Sequence, residues 1–108
     1  MKIKLLEDKI YEKIADCNER IETFAFHNCY GLKDLECIKK QAYSEILRAI
    51  EKSSNVKELE ELLQNKSYAE HGDYKGLLEE GFVRLAEEKY VAKSVYFEFL
   101  ADLKLIFS

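Results

Sequence analysis

Cys17, His27, Cys29 and Cys37 lie close together in the first third of the chain, and thiolate and imidazole are the ligands zinc prefers. Spacing argues against a metal centre. Structural zinc sites draw paired ligands from one tight turn, whereas the intervals here are ten, two and eight residues. Cys17 also falls in an apolar stripe, where a cysteine behaves as a small buried hydrophobe. No metal and no cofactor is therefore expected, and all three cysteines are read as free thiols, with Cys37 the accessible one. Further along, Glu70, His71 and Asp73 form a trio whose side chains could bind a metal or move a proton. Capping of a following helix by Asp73 explains it more simply.

Arg20 and His27 are seven residues apart and share one side of the first helical segment. This pair resembles the Arg-x4–6-His element of HEPN-type ribonucleases, dimeric helical bundles that cut RNA. The resemblance would make Arg20 and His27 the working pair of a bundle ribonuclease. It rests on these two positions alone, and Ile21 stands where that element usually carries a polar residue. A cation at a helix end is also favoured by the helix dipole itself. No Glu-x-x-His pair, glycine-rich phosphate loop, G-x-S-x-G or H-E-x-x-H motif is present. The chain is accordingly not expected to be an enzyme.

Two surface features remain as candidates. Lys33, Cys37, Lys40, Ser44 and Arg48, with Lys39 beside them, line the outer face of the second helix as a basic stripe. Such a stripe suits an acidic partner or a nucleic-acid backbone, although charged helix faces are commonly just solvated. In the last helix Val83, Tyr90 and Phe97 recur at heptad spacing, with Ala86, Ser94 and Ala101 between them. They run opposite the main apolar stripe. A helix apolar on two sides is covered on two sides, so this helix is either central in its bundle or presents a self-association or partner surface. The interface is the favoured expectation.

The elements that would carry these residues are helices. Ile3, Leu6, Ile10, Ile14, Cys17, Ile21 and Phe24 recur every three or four residues, which is one face of a helix. Gly31 is expected to close it in the left-handed conformation. A second helix is predicted over 32–52. Asn55 with Glu58 reads as a capping box opening a short third helix through Leu63. Residues 65–76 are predicted as a loop, with Asp73 capping a last helix of about nine turns from Tyr74 to Phe107. The tail VYFEFLADLKLIF is rich in strand formers, but its helical phase is continuous from Leu85 to Leu103.

Composition supports the same reading. The 108 residues contain no proline and four glycines, so the punctuation of short strands and tight turns is largely missing. A compact all-α bundle of about four helices, forming one domain over 1–108, is expected. Net charge is −4, with eleven acids against seven bases in residues 56–108. An acidic chain is a poor starting point for binding phosphate backbones. No signal-peptide pattern or membrane-length apolar run is visible, and the reducing cytosol is the expected compartment. The favoured function is a non-enzymatic protein–protein interaction module of inhibitor, immunity, anti-defence or adaptor type, with a protein partner expected and a homodimer as a further candidate state. Nucleic-acid binding through the helix-two stripe is the alternative.

Overall fold

The computed structural model describes residues 3–107. Four helices follow in order: α1 (Lys4–Phe26), α2 (Tyr30–Lys52), α3 (Val56–Glu79) and α4 (Val83–Phe107). The tail is helical through Phe107, and no strand occurs among the described residues. α1 packs along α2 and α3 along α4, giving two antiparallel hairpins joined chiefly where α2 meets α4. The body measures 41 × 34 × 21 Å, so its thin dimension is about two helix diameters.

Backbone geometry decides where the helices stop. α1 closes on Asn28, which adopts φ 58°. The Asn28 N–H donates to Ala25 O at 3.2 Å and the Cys29 N–H to Phe24 O at 2.7 Å, the bond pair of a Schellman motif. The expectation that Gly31 closes this helix is therefore corrected, since Gly31 lies in the first turn of α2. Asparagine tolerates the left-handed region better than other non-glycine residues do. At the next junction the Asn55 side chain accepts from the Glu58 N–H at 2.9 Å. The Glu58 carboxylate accepts from the Ser54 N–H at 3.0 Å, one residue before the N-cap, so the Asn55 half of the expected capping box forms and the return bond is displaced by one residue.

The predicted loop over 65–76 is also corrected, along with the cap at Asp73. α3 runs unbroken through this stretch, and the chain turns instead at Gly81, whose φ is 86°. A second Schellman pair forms there, Gly81 N–H to Leu78 O at 3.1 Å and Phe82 N–H to Leu77 O at 2.9 Å. Gly72 and Gly76 each cost the helix about 1 kcal/mol relative to alanine. Packing of Leu59, Leu63 and Ser67, all buried, outweighs that. α4 is consequently about seven turns long rather than nine.

One apolar cluster draws on every helix: Leu6 and Ile10 of α1, Ile46 and Ala49 of α2, Leu59 and Leu63 of α3, Val95 and Phe99 of α4. It occupies the part of the bundle away from the 27–29 and 80–82 turns. Towards those turns Ile21, Phe24, Leu35 and Leu77 are only half-buried. No helix is long and apolar enough to cross a membrane among the described residues.

The position of the second turn is directly testable. Gly72 is helical, and a methyl group added there meets nothing within 4 Å. Gly72→Ala is expected to raise stability by about 0.5–1 kcal/mol, whereas Gly81→Ala, forced to a positive φ, lowers it by about 1 kcal/mol or more. Urea denaturation of the two variants giving the opposite order would show that the turn is misplaced.

Candidate partner-binding surface

Heptad spacing in α4 sets Val83, Tyr90 and Phe97 in one line, and they are 65%, 50% and 63% exposed. The buried face of α4, made by Ala92, Val95, Tyr96, Phe99 and Leu103, lies on the other side. α4 is thus not a central helix, because its second apolar line meets solvent. Ala86 between the line's residues is fully buried, while Ser94 and Ala101 are exposed.

α3 extends this surface, which the sequence reading missed by placing a loop there. Tyr74 lies 5.5 Å from Tyr90 between ring centroids, and His71 stacks on Tyr74 at 6.2 Å. The Lys93 ammonium sits 5.5 Å from the Tyr90 centroid and donates to His71 Nδ1 at 3.1 Å. Farther along, Phe97, Tyr68 and Lys104 are among the residues lining a groove of about 220 Å³. Aromatic rings braced by cations in this way give a rigid contact surface at low entropic cost. The available signal was the spacing of Tyr68, His71 and Tyr74, three residues apart, which share a face once α3 is helical.

The helix-two stripe is weaker in space than in sequence. Arg48 is paired with Glu45, and Lys39 with Glu36 at 3.4 Å. Lys33 lies 5.9 Å from the Tyr30 ring centroid. Among the described residues Lys33 and Lys40 meet no carboxylate, so two of the stripe's cations remain unneutralised.

Arg20 is engaged elsewhere than with His27. Its Nε lies 3.0 Å from the Glu36 carboxylate, which is buried, and its guanidinium approaches Cys17 Sγ at 3.8 Å. His27 is the exposed C-cap of α1. Burial pushes the Cys17 thiol up, and the neighbouring Glu36 carboxylate adds to the effect. Burial also acts to raise Glu36, but Arg20, Cys17 and Lys39 together outweigh it and hold the carboxyl below its ordinary value. The trio of the supposed loop is helical, and its members meet lysines of α4 rather than one another. Lys89 pairs with Glu70 at 3.4 Å and approaches Asp73 at 3.8 Å, while His71 faces Lys93. Among the described residues no three His, Cys, Asp or Glu side chains converge as a metal site would require.

With this geometry in hand, comparison with protein families, characterised proteins and solved structures finds no match to the chain.

Two outcomes follow from the Cys17–Arg20–Glu36 cluster. In the native protein a thiol reagent is expected to modify exposed Cys37 first and buried Cys17 last, which peptide mapping of a labelling time course would read. Because the folded Glu36 pKa is lowered, its contribution to stability is present above the ordinary carboxyl value of 4.5 and lost as pH falls through the lowered value. Glu36→Gln is then less stable than wild type at neutral pH, and the gap closes in acid. Urea midpoints at neutral and acid pH showing a constant gap would refute the linkage.

Proposed function

We propose that the protein is a non-enzymatic interaction module that acts by occupying a partner protein's surface, with the outer face of α4 as its contact. The observation carrying this reading is the exposed line Val83, Tyr90 and Phe97 with its cation-braced aromatic flank. Tyrosine and phenylalanine are enriched where binding energy concentrates at interfaces, and such anchors are efficient because few rotatable bonds are frozen. Burying one exposed aromatic of this size contributes about 1.5–3 kcal/mol, so two of them give a partner substantial affinity. Engagement of Arg20 by Glu36 and partial neutralisation of the helix-two stripe make nuclease action and nucleic-acid binding less favoured readings.

The experiment is affinity capture from the native host with the wild-type chain and with Phe97→Glu. Phe97 is exposed, so the variant is expected to keep its helical circular dichroism and its melting transition. A stoichiometric protein partner retained by wild type and lost by the folded variant supports the proposal. Retention by both counts against the α4 line. Salt-dependent binding of nucleic acid that weakens in Lys33→Glu and Lys40→Glu would replace the reading with the alternative one.

A further inference from the structure

The two interhelical turns lie at the same end of the bundle. Arg84 at the start of α4 pairs with Asp34 at the start of α2 at 3.0 Å, so these helices begin side by side and run parallel. Lys9 pairs with Asp102 and Lys13 with Glu98, fixing α1 antiparallel to α4 in matching register. The turns at 27–29 and 80–82 are therefore flush. Around them the shared core has ended, yet large apolar side chains continue: Phe26, Tyr30 and Leu32 at the first turn, Phe82, Val83 and Leu85 at the second, all exposed.

Two of the aromatic members have a polar or ring neighbour within their own turn. Phe26 packs edge-on against the His27 ring at 5.1 Å, and the Tyr30 hydroxyl donates to Asn28 Oδ1 at 3.0 Å. Phe26 is 81% exposed and Phe82 52%. At such exposures these six side chains together present on the order of 600 Å² of apolar surface, spread around the two helix starts rather than on one face, because Val83 and Leu85, like Tyr30 and Leu32, are two residues apart on their helices.

We infer that this flush end is a self-association surface, occupied by a second copy of the chain across a two-fold axis. Charge argues for a copy over an unrelated partner. Glu79 and Glu80 stand at the C-terminal end of α3, which has no basic residue in its last turn and where the helix dipole disfavours carboxylates. Neither meets a cation among the described residues, and Lys33 at the same end meets no carboxylate. The end therefore carries unmatched charges of both signs beside its exposed apolar side chains. A two-fold axis lets each copy offer its acids to the other's lysine while the aromatics close on each other. This surface is separate from the α4 line apart from Val83, so its failure and the failure of the proposed function can be told apart.

The test is molar mass by light scattering, with helical circular dichroism recorded for every variant. Wild type is expected to be a dimer. Phe26→Glu and Phe82→Glu, each acting twice across the axis, are expected to weaken dimerisation at least about tenfold while remaining folded, and Phe97→Glu leaves the dimer intact. A wild-type monomer at the highest attainable concentration overturns the inference, whether or not it binds lipid vesicles. So does a dimer that survives both turn-end substitutions, or one that only Phe97→Glu dissolves.

Discussion

α1 leans mainly on α2 and α3 mainly on α4, so the two hairpins hold together through the seam where α2 and α4 run in parallel. Ala42, Ile46 and Ala49 on one side and Ala92, Val95 and Phe99 on the other belong to the same buried cluster. Alanines at this seam let the helix axes approach, and the larger residues fill the space between. Every other placement follows. The parallel start of α2 and α4 makes the turns flush, turns the second apolar line of α4 outward, and lays the α3 aromatics beside it.

The polar contacts around this seam set register more than they add stability. Lys9–Asp102, Lys13–Glu98 and Arg84–Asp34 are exposed pairs, each worth about 0–1 kcal/mol. Removing one would leave the apolar seam to hold the fold. Glu36 differs, because its carboxylate is buried between α1 and α2 against Arg20 and Lys39. A buried charge demands its partners, so this cluster ties the α1–α2 crossing at the level where the apolar core gives out. Beyond it, the turn end has neither core nor buried ion pair to cover its aromatics.

Seven tyrosines and six phenylalanines are more than a four-helix core of this length uses, and only Tyr43, Tyr96 and Phe99 among them are buried. Burial pushes the hydroxyls of Tyr43 and Tyr96 up to about 12, while Tyr68, Tyr90 and Phe97 remain outside with Phe26 and Phe82. Tyr11 and Phe107 are exposed as well, so the aromatics left in water are spread over several faces, and those with a ring or cation neighbour are Phe26, Tyr30 and Tyr90.

Helix content, the α1 face through Cys17, the boundary at Asn55 and the outward line Val83, Tyr90 and Phe97 were legible in the amino-acid sequence, because periodicity and capping are local. The α3–α4 boundary was not. Leu77, Gly81, Phe82 and Leu85 happen to continue a helical phase across the turn, and Gly72 and Gly76 resemble punctuation although α3 passes through both. Which glycine takes the left-handed conformation depends on the packing of Leu59, Leu63 and Ser67 against α4, contacts that exist only after the hairpin has closed. The flush apolar end was hidden for the same reason. Phe26 and Phe82 are far apart along the chain, and the parallel register of α2 and α4 alone brings them to one surface.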